Sequence, residues 1–262
     1  MTKPKSRKLI MTQYGEDFRA CSAIVDTDIG EPGYGEVLVR NVYAGVNGVY
    51  DLNMIRDAVS YISYTPPTAL GIEVVGRIEK LGPGVRDFKV GDAVATWKVG
   101  SGYRDYQVAN VGRLYKVPSA SPEILCIMPT GISGMVGVEQ VGELGTGETV
   151  AVSAAAGGLG HIIVQVAKKA GNHVIGICGS DEKAEKLREI GCDRAINYRT
   201  EDVADVLKRE YPNGINIAYD SVGGKIYDAF IDNLAVKGRL VISGYTSEVG
   251  KPWEQVTSPR LY

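Results

Sequence analysis

Apolar and polar residues alternate in short runs up to about residue 120 of the chain. Glycine and proline turns separate these runs, which is typical of strands in an antiparallel sheet. The predicted strands cover residues 36–42, 74–81, 93–97, 106–109 and 114–117. No long helical pattern lies among them, so the sequence predicts a mostly β domain over residues 1–122.

Beyond residue 122 the pattern changes, and strand-like runs alternate with helix-like runs. The predicted strands cover residues 149–153, 173–178, 194–197, 215–220 and 239–244. A helix follows each of the first four strands, and the last three of these helices cover residues 181–190, 200–211 and 227–234. This alternation requires a parallel sheet with helices on both faces. The sequence therefore predicts an α/β, doubly wound domain over residues 123–262.

The first strand of this domain runs into a glycine turn, V-A-V-S-A-A-A-G-G-L-G at residues 150–160. Small residues occupy the three glycine positions of a G-x-G-x-x-G turn, which lets the backbone approach a pyrophosphate and lets a helix pack on the strand. An amphipathic helix follows at once. The predicted cofactor-contacting residues of this turn are Ala155, Gly157, Gly158, Leu159 and Gly160. The alternative is an ordinary strand–helix turn that binds no ligand.

Composition and charge narrow the classes of protein that the chain can represent. Its 262 residues carry 29 Lys and Arg against 31 Asp and Glu, a formal net charge of −2. This balance leaves no excess of positive charge that would bind nucleic acid. We expect no membrane span because the apolar runs are too short. The four cysteines are scattered, and no secretion signal is recognised at the N-terminus. We therefore expect a cytoplasmic enzyme with reduced thiols, and an organellar location stays open.

Sequence blocks in both halves of the chain resemble one superfamily. In the first half they are G-V-N at 45–47, G-I-E-V-V-G at 71–76 and L-G-P-G-V-R-D-F-K-V-G-D-A-V at 81–94. In the second half they include A-A-A-G-G, G-S-D-E-K, I-G-C-D-R-A-I-N-Y and D-S-V-G-G. Together they resemble the medium-chain dehydrogenases/reductases, and most of all the zinc-independent quinone oxidoreductase and prostaglandin reductase branch.

The resemblance implies a GroES-like, mostly β N-terminal domain followed by a Rossmann domain. Members of the family continue through a sixth strand and then return to complete the first domain. We therefore expect the sequence to be C-terminally truncated relative to that fold. Relatives dimerise through the edge strand that lies in the missing part, so a homodimer stays an open expectation.

Whether zinc takes part can be judged from the residues that would bind it. A catalytic zinc needs three protein ligands that converge on one cleft. The two histidines, His161 and His173, both lie in the nucleotide half, and the chain has Gly71-Ile72-Glu73 where zinc-dependent members have G-H-E. Isoleucine cannot bind a metal. We therefore predict no metal site.

The end of the second nucleotide-domain strand indicates which nicotinamide cofactor binds. NAD-specific domains place Asp or Glu there, whereas this chain has Cys178, Gly179 and Ser180. A hydroxyl and a nearby cation suit a 2′-phosphate, and the resemblance implies that Lys183 and Tyr198 contact that phosphate. The alternative is that Lys183 is simply a solvated helix residue. We predict NADPH as the cofactor.

Other cofactor contacts are predicted where the remaining strands end, because ligands bind at the carboxyl ends of such sheets. The residues at these ends are Ser221, Val222, Gly223, Gly244 and Tyr245. Ser133 lies where relatives carry a Thr in their G-x-T-A-Y motif, and is a further candidate for the nicotinamide side.

The predicted reaction is hydride transfer to an α,β-unsaturated ketone or to a quinone, with 15-keto-prostaglandins implied as substrates by the resemblance. Donors aimed at the carbonyl oxygen would stabilise the developing enolate, and a Tyr or water would supply a proton. The catalytic candidates are Asn47, Tyr245 and Tyr64. Tyr50, Tyr61 and Tyr64 are expected in a loop over the substrate. The family usually has an Asp three residues after this Asn, and one inserted residue accounts for Asp51 standing four residues after it. The alternatives are an ordinary turn Asn at position 47 and a non-catalytic NADPH-binding protein with a structural or regulatory role.

Overall fold

The alternating runs of the first half fold into two antiparallel sheets. The structure, a computed structural model, describes residues 5–58 and 63–248, and the chain divides into two units between Pro129 and Thr130. The strands of the first unit are β1 (Lys5–Met11), β2 (Ser22–Asp28), β3 (Glu36–Ala44), β4 (Thr68–Ala69), β5 (Glu73–Leu81), β6 (Ala93–Trp97), β7 (Tyr106–Asn110) and β8 (Tyr115–Lys116). One sheet has the order β2-β1-β4, and the other has the order β7-β3-β5-β6-β8.

The alternation of apolar residues along β3 and β5 builds one core of the first unit. Val37 and Val39 on β3 are buried beside Ile78 on β5 and Val94 on β6. Burial of each such side chain contributes about 1.5–3 kcal/mol relative to exposure. The antiparallel pairing of β3 with β5 ends at Ala44, so the turn that follows β3 lies at the end of this sheet.

A short helix follows that turn, at a place where the sequence predicts only a loop. Helix α1 (Gly48–Ile55) begins after Asn47 and places Tyr50 within a helix, so the expectation of a loop around Tyr50 is wrong. Gly48 is a poor helix former and therefore weakens the sequence signal. The helix forms because Met54 and Ile55 are buried in an apolar cluster.

A second helical stretch, also missed from the sequence, begins with α2 (Pro122–Cys126) and continues with α3 (Ile132–Val136). Its glycines and proline hide the helical pattern. Within the described part of the chain, Pro122–Val141 is the one segment that is long and apolar enough to cross a membrane by length and composition. Its backbone leaves helical geometry at Met128, with φ −118° and ψ 128°, which interrupts the continuous helix of about 20 residues that a bilayer requires.

The second unit contains the parallel sheet that the alternating pattern predicts. Its strands are β9 (Thr149–Val152), β10 (His173–Cys178), β11 (Arg194–Asn197), β12 (Ile215–Asp220) and β13 (Leu234–Ile242). All neighbouring pairs are parallel, in the order β11-β10-β9-β12-β13. The direction of winding reverses between β9 and β12, and ligands of such sheets bind beside this reversal at the carboxyl ends of the strands.

Helices cover the sheet and complete two apolar layers. They are α4 (Gly160–Lys169), α5 (Asp181–Glu189), α6 (Val203–Glu210) and α7 (Gly224–Asp232). Ile163 on α4 and Leu187 on α5 are buried in one layer, and Leu207 on α6 and Phe230 on α7 are buried in the other. A GroES-like unit followed by a Rossmann-type α/β unit is therefore the fold, as the sequence predicts.

Candidate cofactor and active site

The loops at the carboxyl ends of the parallel strands enclose a cavity of about 1250 Å³ in the second unit. Its walls come from the segments that follow β9, β10, β11 and β12. The predicted site residues that line it are Gly157, Gly179, Lys183, Tyr198, Val222 and Gly223. The cavity therefore brings together residues from four separate sequence motifs at the position where nucleotides bind in such sheets.

The turn between β9 and α4 is built around glycine. A Cβ atom at Gly160 would lie 2.5 Å from the Ala154 carbonyl oxygen and 2.6 Å from Ala155 Cα, which is closer than van der Waals contact allows. At Gly158, by contrast, a Cβ atom would meet nothing within 4 Å. Gly157 donates its backbone N–H to the Ala154 oxygen at 2.8 Å. The close approach at Gly160 presses the start of α4 onto the strand end, and exposed N–H groups at a helix start favour an anion.

Two glycine-dependent contacts shape the loop after β10. A Cβ atom at Gly179 would lie 2.7 Å from the Tyr198 hydroxyl oxygen, so glycine allows the phenol to lie across this backbone. The Ser180 hydroxyl accepts a hydrogen bond from the Lys183 backbone N–H at 3.3 Å and caps α5. Ser180 is thus used as a helix cap, whereas Lys183 and Tyr198 line the cavity itself.

The charges around this cavity are mixed. Lys183 forms no ion pair within the described part of the chain. Glu201, which also lines the cavity, is bound by Arg194 at 2.5 Å. Three further carboxyl side chains, Asp202, Asp228 and Asp232, and a second cation, Lys225, lie on the same walls. Lys183 and Tyr198 thus contribute a cation and a phenol hydroxyl to the cavity lining, and both are groups that can bind a phosphate.

The sequence prediction missed Asp220, which organises the loop after β12. This residue is fully buried and accepts hydrogen bonds from the Ser153 hydroxyl at 2.7 Å, from the Val222 N–H at 2.9 Å and from the Gly223 N–H at 3.0 Å. Ser153 in turn accepts from the Ser221 N–H at 2.8 Å. The predicted residues Ser221 to Gly223 are therefore held by a buried carboxyl group. The D-S-V-G-G block contained the signal, an Asp at the very end of a buried strand.

The remaining predicted residues of the second unit lie around the cavity or away from it. Ala155 is fully buried under the turn. Gly134, next to the exposed Ser133 on α3, packs against Leu159, because a Cβ atom at Gly134 would lie 2.9 Å from the Leu159 side chain. Gly244 lies beside the Ser221 carbonyl oxygen. Tyr245 is half-exposed. None of Ser133, Leu159, Gly244 and Tyr245 lines the described cavity.

In the first unit, Asn47 is held by a buried acid. Its Nδ2 donates to Glu73 Oε1 at 2.7 Å. The nearby Asp51, one helical turn after Asn47, accepts from the Tyr103 hydroxyl at 2.5 Å. The Asp51 backbone N–H donates to the Asn47 carbonyl oxygen at 2.8 Å, so the first turn of α1 joins the two residues. Sequence analysis named neither Glu73 nor Tyr103 as a site residue.

Burial perturbs all three ionisable groups of this cluster. Burial raises the pKa of Asp51, and the hydrogen bond from Tyr103 opposes the shift. Burial also raises the pKa of Glu73, the hydrogen bond from Asn47 lowers it, and the charge of Asp51 raises it further. The pKa of Tyr103 is raised by burial and by its bond to Asp51. Carboxyl groups with raised pKa values occur where proteins handle protons.

Tyr64 contacts another tyrosine rather than Asn47. Its hydroxyl lies 2.7 Å from the Tyr50 hydroxyl, and its carbonyl oxygen accepts from Tyr14. Tyr61 lies outside the described residues. Across residues 5–58 and 63–248, no group of three or more His, Cys, Asp or Glu side chains is arranged to hold a metal ion.

Comparison with known proteins extends this description. Residues 33–119 match the sequence model of the alcohol dehydrogenase GroES-like domain, and residues 158–261 match that of the zinc-binding dehydrogenases. The chain is 42% identical over 248 residues to prostaglandin reductase-3 of Mus musculus, covering 94% of this chain and 65% of that protein. It thus spans just under two thirds of the length of this relative.

Two further proteins support the same assignment. A probable quinone oxidoreductase of Leishmania amazonensis is 36% identical over 250 residues, with 94% of this chain and 73% of that protein covered. A mycobacterial protein solved in complex with NADPH is 28% identical, with a TM-score of 0.78 over 91% of this chain and 74% of that one. On these matches the chain belongs to the medium-chain dehydrogenase/reductase family of oxidoreductases, which confirms the resemblance seen in its sequence motifs.

Proposed function

We propose that the protein is an NADPH-dependent reductase that transfers hydride to the carbon–carbon double bond of an α,β-unsaturated ketone or to a quinone, without zinc. The observation that carries this proposal is the cavity at the strand ends, whose lining includes Lys183, Tyr198 and the glycine turn at Gly157. NADPH bound there would supply the hydride. The names of the prostaglandin reductase and quinone oxidoreductase relatives support this class of substrate.

In the proposed reaction each unit of the chain has a separate task. The second unit binds the dinucleotide through the turn at Gly157 and Gly160, with Lys183 offsetting the charge of the 2′-phosphate. The first unit supplies Asn47, whose second N–H stabilises negative charge on the substrate carbonyl oxygen. Tyr245 is the proposed proton donor, since its phenol is half-exposed, and water is the alternative source.

The proposal that zinc takes no part rests on side chains. Ile72 precedes Glu73 where a ligating histidine would be needed. His161 Nδ1 lies 2.8 Å from the Gly157 carbonyl oxygen in the turn before α4, and His173 Nε2 lies 2.9 Å from the Tyr211 hydroxyl. Both histidines therefore serve the nucleotide unit itself, and Asn47 takes over the task of polarising the carbonyl.

Replacing Lys183 with Ala tests the cofactor assignment. We expect the dissociation constant for NADPH to rise about 10- to 100-fold, because a hydrogen bond to a charged group contributes about 1.5–3 kcal/mol. Affinity for NADH, which lacks the 2′-phosphate, should stay nearly constant. The measurement is a fluorescence titration of each reduced cofactor. Lys186→Ala is the matched control, because Lys186 lies one turn further along α5 and pairs with Glu182 on the surface.

An equal loss of NADPH and NADH affinity in Lys183→Ala would contradict the 2′-phosphate assignment.

Oxidation of NADPH is then followed with a 15-keto-prostaglandin, a simple enone and a quinone. Turnover supports the reductase. Tight NADPH binding without turnover would favour the second candidate, a non-catalytic nucleotide-binding protein.

A further inference from the structure

A buried carboxyl group fixes the orientation of the Asn47 carboxamide. Asn47 Nδ2 lies 2.7 Å from Glu73 Oε1, and Glu73 is only 5% exposed. An ionised carboxylate accepts hydrogen bonds and cannot donate them. The nitrogen end of the carboxamide must therefore face Glu73, and one of its two N–H groups is used in this bond.

The backbone around Asn47 is shaped to fit this carboxyl group. A Cβ atom at Gly45 would lie 2.0 Å from Glu73 Oε1, so only glycine leaves room for it. The Gly45 N–H also donates to the Glu73 carbonyl oxygen at 3.2 Å. Asn47 stands at the start of α1 but its side chain makes no capping hydrogen bond. The contact with Glu73, and not helix capping, therefore determines where the carboxamide lies.

The groups around Glu73 are acids and hydrogen-bond donors. Asp51 from α1 raises the pKa of Glu73 by its charge, and the Tyr103 hydroxyl donates to Asp51 Oδ2. Within the described residues, Glu73 Oε2 is buried and has no hydrogen-bond partner. An unpaired buried oxygen of this kind is costly, which is consistent with a functional reason for keeping the carboxyl group in this place.

We propose that Glu73 is a positioning residue that holds one N–H of Asn47 and thereby presents the second N–H to the substrate carbonyl oxygen. This inference rests on the proposed function, because Asn47 has a catalytic task only if a carbonyl substrate is reduced. Protonation of Glu73 removes the constraint, since a carboxylic acid can donate to the carboxamide oxygen. The Asn47 carboxamide can then rotate by about 180° and exchange its oxygen and nitrogen positions. Asp51 and Tyr103 are the other groups that this protonation affects.

The contact is tested without activity by following the Asn47 side-chain amide signals of the whole chain by ¹⁵N NMR across acidic pH. Asn47→Ser identifies these signals by their loss. In the unchanged protein we expect them to shift as Glu73 takes up a proton, and in Glu73→Gln we expect this titration to disappear. Glu79→Gln is the matched control, because Glu79 lies on the same strand but pairs with Arg40 at the surface.

Gly45→Ala provides a second variant that keeps the charge and displaces the carboxyl group, so the test holds even if Glu73→Gln does not fold. Gly45→Ala should also alter the Asn47 side-chain amide signals. Asn47 signals that are the same in Glu73→Gln, Gly45→Ala and Glu79→Gln would overturn the inference.

The activity readout separates this inference from the proposed function. In an active enzyme, Glu73→Gln should lower kcat about tenfold or more, a smaller loss than the roughly 100- to 1000-fold loss expected when a donor is removed altogether. The KM for NADPH should stay unchanged. The fall of kcat at acidic pH should be lost. An unchanged kcat and pH profile would overturn the positioning role alone. A wild-type chain that binds NADPH and reduces no carbonyl substrate would overturn the proposed function together with the positioning role of Glu73.

Discussion

Replacing Gly160 with Ala is expected to destabilise the second unit and to abolish tight cofactor binding. The new Cβ atom would meet backbone atoms, the Ala154 oxygen at 2.5 Å and Ala155 Cα at 2.6 Å. Backbone cannot rotate out of the way as a flexible side chain can, so the turn and the start of α4 must separate. Overpacking of this kind costs about 1–3 kcal/mol. Denaturant unfolding measures this loss, and a fluorescence titration with NADPH measures the loss of affinity.

Gly158→Ala is the matched control for stability, because a Cβ atom at Gly158 would meet nothing within 4 Å. Its free energy of unfolding should stay within about 0.5 kcal/mol of the unchanged chain. Equal destabilisation by the two substitutions would show that close packing at Gly160 is not what the turn requires. Full cofactor affinity in Gly160→Ala would show that the dinucleotide does not depend on this helix start.

Replacing Asp220 with Ala is expected to lower the free energy of unfolding by about 3 kcal/mol or more. The substitution leaves the N–H groups of Val222 and Gly223 and the Ser153 hydroxyl without their acceptor. Each hydrogen bond to a charged group contributes about 1.5–3 kcal/mol. Because Val222 and Gly223 line the cavity, affinity for NADPH should fall as well. Thermal or denaturant unfolding and the same cofactor titration check both effects.

Asp205→Ala serves as the control for this second prediction. Asp205 is exposed on α6 in the same unit, so its loss should change stability by less than about 0.5 kcal/mol. Asp220→Asn should fall between the two variants, since an amide keeps one acceptor oxygen and adds a donor where donors already converge. If Asp220→Ala unfolded at the same denaturant concentration as Asp205→Ala, the buried carboxyl group would not be what organises the loop after β12.

The parallel sheet was largely predictable from the sequence. Three of its strands, β10, β11 and β12, have the predicted bounds, because turn residues mark where each one starts or stops. The last helix and strand were misplaced. Helix α7 begins at Gly224, and β13 begins at Leu234 rather than near Arg239. Lys237, with φ +65°, and the adjacent Gly238 interrupt the strand pattern and made its first half resemble a turn.

The candidate site was predictable where it depends on motifs and unpredictable where it depends on tertiary contacts. Lys183 and Tyr198 are predicted from motifs that resemble those of related reductases, and both line the cavity. Glu73 and Asp51 belong to separate elements, and no local pattern shows that folding buries them near each other. Tyr103 lies further along the chain and was missed for the same reason. Ser180 was expected at a phosphate, but as the residue before α5 it is better placed to cap the helix.

The buried acids of the first unit also couple folding to proton uptake. Burial raises the pKa of both Asp51 and Glu73 above their values in an unfolded chain. Between the unfolded and folded values, the native state therefore holds protons that the unfolded state has released, and unfolding sets them free. The contribution of this pair to stability falls as pH rises through that interval and stays low above it. The two buried carboxyl groups near Asn47 therefore make the first unit more stable in acid than above that interval.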